Sequence, residues 1–496
     1  MAKNSVKKFG VYRWRFILGY SFIGLVLTAV LLTAALLVPG GITPAEQASA
    51  LKSGSLTIED PTSFLVTDLP YHALQKASIF LFGLHSISIK LPSLLLAVFA
   101  GIGLVLLLRR WFQPSVSVIT GSIAVVSMPF IYLAQQGTPA IMAVFWPICI
   151  LLLTNIILNV KQPRLAAAAV PLLGIAAGLS LYTPLALYLL IAMILAGSLH
   201  PHVRHLVKRS VSRAQIGGAI MLTLLCAAPL FYLFYQQPST LVTLFVSSND
   251  APFELLANGK AIALQLFDIT GRSMASLGAI APYFALPTLL LALAGAYSLF
   301  KERHGAKNYL LTAWVALLVP VMLLNPHRPE LLFVPIMLLV GIGIANVLNY
   351  WYRLFPLNPY ARVFGLLPIM VLMGGIMLTD SLRYFRTLQY SAPLATNATN
   401  DLSTINKHIS QTKEAGDTPI LAVSHDEEPF YELYNAVEHD SELEIVTEPT
   451  KPGDDTVIIA TRDSDLANSS QAPTAVFADG RAGQESDRIY LYKKAD

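Results

Sequence analysis

The sequence predicts an α-helical polytopic membrane protein that ends in a small α/β domain. Three observations lead there. Of its 496 residues, 54% are hydrophobic and only 13% charged, with mean hydropathy +0.58, where a soluble domain carries roughly a quarter charged residues. Eleven apolar runs approach the ~20 residues needed to cross a bilayer. After Asp380 the hydropathy collapses, and the charge changes sign with it. Before Phe385 stand 25 of the 34 Lys/Arg and 10 of the 30 Asp/Glu. The basic excess is therefore a topology signal and implies no nucleic-acid partner.

The chain opens on Lys3, Lys7, Lys8, Arg13 and Arg15, ahead of an apolar run from Phe16 to Val38. That run is longer than the apolar core of a cleaved leader and reads as a retained first span. Further runs fall at 89–108, 115–133, 138–159, 165–182, 184–199, 215–236, 279–300, 308–325, 330–349 and 362–379. Thr183-Pro184 is the only break between the fifth and sixth. The first loop, 40–88, carries Glu46, Glu59, Asp60 and Asp68 in a half of the chain with few other acids.

Lys and Arg fall on alternate connections. With the N-terminus in the cytoplasm, 18 basic residues lie inside, against about six on the short outer segments, which is the usual bias. The acids do the opposite: of those before Phe385, only Glu302 falls inside. The inner tract His200-Pro-His-Val-Arg-His205 resembles a metal motif, but its side of the membrane makes it a basic topology loop. The outer loop between Tyr235 and Ala279 is long and mildly amphipathic, and contains Asp250, Glu254, Asp268 and Gly271-Arg272.

Residues 1–384 are thus expected to form the membrane domain, and 385–496 an extracytoplasmic domain placed outside by the odd number of spans. Within it, 401–415 and 426–438 read as helices. PILAVSH, LEIVTE, TVIIATR, TAVFA and RIYLY read as short strands. Asn397-Ala-Thr and Asn468-Ser-Ser matter only in a host that glycosylates exported chains. Cys149 and Cys226 lie inside apolar runs and read as buried small hydrophobes.

From Gly40 to about Trp146 the chain resembles the polytopic glycosyltransferases of the GT-C fold, in the branch of the protein mannosyltransferases and the lipid A aminoarabinose transferase. The resemblance rests on an acidic position soon after the first span (Ala45-Glu46) and on Asp68-Leu-Pro-Tyr-His-Ala-Leu. It continues in Phe82-Gly83…Lys90-Leu-Pro-Ser, in Leu133-Ala-Gln-Gln-Gly-Thr-Pro139 and in Asn325-Pro-His-Arg328. Two departures stand out. Ala45 replaces the usual Asp of an acidic pair, and Gln135, Gln136 and Pro139 stand where the family has Arg and an acid.

The resemblance implies an inverting transfer of a sugar from a polyprenyl-phosphate donor, embedded among membrane lipids, to an extracytoplasmic acceptor (glycan, lipid or protein). Such a transfer needs a carboxylate to take the acceptor's proton as the anomeric carbon gains oxocarbenium character. It also needs cations on the departing phosphate. Glu46 is the first candidate base; its alternative is the capping box Thr43-Pro-Ala-Glu46. Glu59 and Asp60 are a second acidic pair, or a turn start before Pro61. Asp68 either orients acceptor or metal, or caps the helix Tyr71–Phe82. Arg328, with His327 and Lys90, is the expected phosphate contact, the alternative for Arg328 being a snorkelling interfacial side chain. Gln136, Tyr182 and His72 are candidate substrate contacts. Mg²⁺ or Mn²⁺ is compatible with the loop carboxylates, whose spacing matches no defined ligand set. The compact size points to a bacterial plasma membrane.

Two other classes remain open. A transporter would place ionisable groups near the bilayer midplane, whereas these acids sit at one rim. A catalytically degenerate relative, acting in envelope assembly through its acidic outer domain, is the third reading, and the two motif departures keep it open.

Overall fold

The computed structural model describes residues 10–37, 41–159, 162–246, 254–267, 282–301, 305–354, 359–390, 402–439, 441–453, 455–469, 471–477 and 488–494. Asp250, Asp268, Gly271-Arg272 and the Asn397 sequon lie outside the described residues, as does Ser470 of the second sequon.

Each of the eleven apolar runs carries helix. After α1 (Gly10–Leu37) come two helices of the first loop, α2 (Pro44–Gly54) and α3 (Leu69–Phe82), separated by the 3-10 turn Pro61–Phe64. Then follow α4 (Ser86–Trp111), α5 (Pro114–Val126), α6 (Met128–Gln135), α7 (Met142–Asn159), α8 (Pro163–Ser180) and α9 (Leu187–Leu199). The inner tract forms α10 (Pro201–Ser210), ahead of α11 (Arg213–Gln236). The long outer loop holds α12 (Ser239–Phe245) and α13 (Leu255–Phe267). The body ends with α14 (Leu286–Lys301), α15 (Ala306–Leu324), α16 (Phe333–Leu354) and α17 (Pro359–Tyr390). Among the described residues, α4, Pro139–Asn159 with α7, α11, α15 and Pro329–Leu354 with α16 are each long and apolar enough to cross a membrane unaided.

The run at 115–133 is a broken span. α5 and α6 meet at 51° because Pro129 brings no N–H to the helix ladder and its ring crowds the carbonyl four residues back. Ser127 between them is extended (φ −67°, ψ 139°). The carbonyls at the break find other partners: Ala124 O accepts from Ser127 Oγ at 2.7 Å, and Val126 O from Ser381 Oγ of α17 at 3.3 Å. Elsewhere the helices pack backbone to backbone. A Cβ at Gly295 of α14 would collide with the Leu339 carbonyl, and one at Gly343 of α16 with that of Leu291, the small-residue contact by which membrane helices approach closely.

The C-terminal part has two helices, α18 (Leu402–Glu414) and α19 (Glu428–Glu438). Its strands are β1 (Thr418–Ala422), β2 (Glu444–Val446), β3 (Thr456–Ala460), β4 (Ala475–Phe477) and β5 (Ile489–Lys493). They form one sheet in the order β2-β1-β3-β5-β4, parallel across β2-β1-β3 and antiparallel from β3 onward. Central β1 and β3 read as continuous apolar runs, as strands covered on both faces do.

This core does not close on itself. Ile405 and Ile409 of α18 and Phe430, Tyr431 and Tyr434 of α19 share one buried cluster with Ile42, Ala50, Ile79, Leu84 and Ile89 of the first loop and the start of α4. Each buried side chain of this size contributes about 1.5–3 kcal/mol relative to exposure. Two polar ties flank the cluster: the Leu84 N–H donates to Glu438 Oε1 at 2.5 Å, and Gln47 Nε2 donates to Glu427 Oε1 at 3.4 Å. The C-terminal α/β part thus packs on α2 and α3.

Candidate functional site

At one end of the helix bundle, the end read as outer, the connections are knitted together. The Asp68 N–H donates to Tyr182 O at 2.9 Å, the Leu185 N–H to Leu244 O at 2.7 Å, and the Tyr283 N–H to Gln265 O at 2.7 Å. Asn325 Nδ2 donates to Val246 O at 3.0 Å. All the candidate residues lie at this end.

Glu46 is only 2% exposed. The capping box forms: Oε2 accepts from the Thr43 N–H at 2.8 Å and from Thr43 Oγ1 at 3.2 Å. Oε1 accepts from the Gly137 N–H at 2.6 Å and stands 3.8 Å from Lys90 Nζ. A buried charge needs such partners, and here they occupy both oxygens. The Gly137 carbonyl in turn accepts from Gln75 Nε2 at 3.0 Å, so this peptide is gripped on both sides. A Cβ at Gly137 would lie 2.7 Å from the Ile89 side chain and 3.0 Å from its carbonyl, so the approach requires glycine.

Asp68 is placed differently. It occupies the N-cap position of α3 in the left-handed region (φ 54°, ψ 25°), yet its side chain makes no cap hydrogen bond. This backbone strain points its N–H at Tyr182 and its carbonyl at the Tyr71 and His72 amides. The side chain is buried, and Oδ1 has no hydrogen-bond partner among the described residues. Burial pushes the carboxyl up to about 7, with the Arg328 guanidinium and then the Thr183 hydroxyl pulling against it. A carboxylate poised near neutrality with a free oxygen has the properties of a general base.

The other candidates separate by environment. Glu59 and Asp60 are exposed, and Asp60 caps the 3-10 turn through Thr62 N (2.9 Å) and Oγ1 (2.6 Å), bonds that hold it below the usual carboxylate range. Arg328 is half-buried, 3.6 Å from Glu330 Oε1, and close enough to Asp68 to act on it. His327 beside it is exposed. Lys90 donates to Gly41 O at 2.9 Å besides meeting Glu46. The buried Tyr182 spends its hydroxyl on Cys226 O at 3.1 Å, while its carbonyl holds Asp68. Gln136 is half-buried next to Gly137, within reach of the Tyr132 hydroxyl. His72 is buried with Nδ1 2.9 Å from Ser53 Oγ, and burial, with Lys52 adding to it, pushes the ring down to about 4.

Sequence reasoning counted Glu330 among the outer acids without giving it a role, and took Thr183 only as a break. It missed the polar seam between α2 and α3, in which Ser49 Oγ and Ser53 Oγ donate to Gln75 Oε1 at 2.8 and 2.7 Å. Ser49 and Ser53 are four apart on one face of α2, and that spacing was the available signal. Among the described residues, no three His, Cys, Asp or Glu side chains gather as a metal site.

No family model matches the sequence, and no curated protein matches it closely enough to count. Solved structures do match. The chain is similar to ArnT from Cupriavidus metallidurans bound to undecaprenyl phosphate, with TM-score 0.50 and 14% identity, over 95% of this chain and 97% of that one. It is also similar to the archaeal oligosaccharyltransferase AglB from Archaeoglobus fulgidus, solved with an inhibitory peptide and a dolichol-phosphate. There the TM-score is 0.51 and the identity 12%, over 90% of this chain and 70% of that one. An Archaeoglobus fulgidus oligosaccharyltransferase in complex with Zn and sulfate matches at TM-score 0.50 and 12% identity, over 88% of this chain and 67% of that one. The chain therefore has the GT-C fold, that of a polytopic helical membrane protein with a small C-terminal α/β part.

Proposed function

We propose that this protein is a membrane glycosyltransferase that moves a sugar, with inversion, from a polyprenyl-phosphate donor to an acceptor at the outer face of a bacterial plasma membrane. The observation that carries the reading is Asp68: a buried carboxyl raised to about 7, with an oxygen unpartnered among the described residues, beside Arg328. Asp68 takes the proton from the acceptor's nucleophilic atom as that atom bonds the anomeric carbon. The bond from that carbon to the phosphate oxygen breaks, and Arg328, with exposed His327, meets the charge left on the departing lipid phosphate. A positioned base of this kind is worth about 10²–10⁴ in rate.

Glu46, whose oxygens are occupied, acts as the clamp that fixes the 135–138 turn to the first loop. Among the described residues no three His, Cys, Asp or Glu side chains gather, and Glu46 and Glu330 each already face a cation, a donor set that does not fit a divalent ion. The division at about residue 384 into a catalytic membrane domain and an outer domain belongs to this reading, with the outer domain as the brace of the catalytic loop.

The test is to incubate purified protein with a panel of polyprenyl-phosphate sugars and a mixture of envelope acceptors. Release of free polyprenyl phosphate with a product of inverted anomeric configuration is expected. A retained configuration, or binding of lipid with no release from any donor, would remove the proposal.

A further inference from the structure

Three tyrosines that the transfer step does not use stand at the same rim. Tyr132 is on α6, Tyr283 in the segment entering α14, and Tyr384 near the outer end of α17. Tyr283 and Tyr384 are 3% and 0% exposed, and neither hydroxyl has a hydrogen-bond partner among the described residues.

Their backbones are pinned. Arg383 Nη2 donates to Pro282 O at 2.5 Å while its Nη1 holds Asp380 Oδ1 at 3.1 Å, which ties α17 to the residue before Tyr283. Phe284 stacks on Phe333 (6.4 Å between centroids) and Phe333 on Phe130 of α6 (5.7 Å), which ties the same segment to the helix of Tyr132. Tyr132 is also close enough to act electrostatically on Tyr283 and on Tyr384, as are Glu330 on Tyr132 and Tyr283 and Glu46 on Tyr132 and Tyr384.

A buried hydroxyl without a partner costs about 1–3 kcal/mol, and phenylalanine would pack as well without that cost. Two such hydroxyls on separate elements beside a reaction site call for a ligand that supplies the missing bonds. The charge around them sets its kind. Glu330 is matched by Arg328, Glu46 by Lys90 and Asp380 by Arg383, so the carboxylates near the tyrosines do not call for a cationic partner. We infer that Tyr283 and Tyr384 bind the hydroxyls of a neutral sugar unit, in preference to an amino sugar. This rests on the proposed function and names the sugar class within it.

The test compares wild type with Tyr283→Phe and Tyr384→Phe, measuring binding of polyprenyl phosphate, of polyprenyl-phosphate hexose, and of a methyl hexoside added to protein saturated with polyprenyl phosphate. Each substitution is expected to leave polyprenyl phosphate affinity and Tm unchanged or slightly raised. It should weaken the hexose-bearing ligand by about 5- to 10-fold, the equivalent of one neutral hydrogen bond. Loss confined to the lipid-linked hexose identifies the donor's sugar; loss confined to the methyl hexoside identifies the acceptor's. Unchanged affinity for both, or tighter wild-type binding of a lipid-linked amino sugar than of the hexose, overturns the inference and leaves the transferase reading standing. Wild type that fails to bind polyprenyl phosphate overturns both.

Discussion

Glu46 Oε1 accepts a 2.6 Å hydrogen bond from the Gly137 amide, which joins the first outer loop to the turn after the broken span α5–α6. The acid that stands out in the sequence is thereby a fastening between two segments 91 residues apart. Asp68, one helix further on, keeps an oxygen that has no hydrogen-bond partner among the described residues, the one the proposed transfer uses.

Glu46→Ala strands the Gly137 and Thr43 amides and leaves Lys90 without its counter-charge. Such a change costs about 3 kcal/mol, read as a lower midpoint in thermal unfolding in detergent. Glu46→Gln keeps one acceptor and is expected to lose less. Equal stability of Glu46→Ala and wild type would contradict the clamp.

The Asp68 pKa has a stability consequence of definite sign. Its folded value, about 7, lies above the ordinary value of 3.8, so between these the folded state holds a proton the unfolded chain has released. Stability attributable to Asp68 is full below about pH 4 and is lost as pH rises through about 7. Asp68→Asn, which cannot ionise, should therefore raise Tm at pH 8 and leave it nearly unchanged at pH 4. A variant less stable than wild type at pH 8 would refute the burial argument.

The tie between the C-terminal α/β part and the first loop hangs on Glu438, which receives the Leu84 N–H and stands 3.5 Å from His85 Nδ1. Glu438→Ala should cost about 1–2 kcal/mol and speed amide exchange at 83–85, with the sheet amides unaffected. Uniform exchange across both regions would mean that the tie does not hold the loop.

Sidedness is open to a direct check. Ser55, at the end of α2, is exposed, and in a variant lacking Cys149 and Cys226, Ser55→Cys should react with an impermeant maleimide on intact cells. Labelling only after permeabilisation would invert the topology and move the rim to the cytoplasm.

Much of the fold was legible because hydropathy needs no tertiary information. The eleven runs, the helix starting near Pro70 and the strands at Thr418–Ala422 and Thr456–Ala460 all follow from local pattern. The break at Ser127 was legible only in hindsight, since Pro129 sits in an otherwise continuous apolar run. The site was less legible. Whether Glu46 or Asp68 is free depends on Gly137 and Tyr182, partners far along the chain. Tyr283 and Tyr384 carry no motif at all; they stand out only once their hydroxyls are seen to be buried without partners among the described residues.

The central claim is that Asp68 is the base. The most direct measurement is single-turnover transfer, over pH 5 to 9, by wild type, Asp68→Asn and Asp60→Asn with one competent polyprenyl-phosphate sugar. The wild-type rate should rise through about pH 7, Asp68→Asn should fall by ~10² or more with donor affinity kept, and Asp60→Asn should match wild type. Full activity in Asp68→Asn, or loss in Asp60→Asn alone, would contradict the account and move the chemistry to the exposed part of the loop.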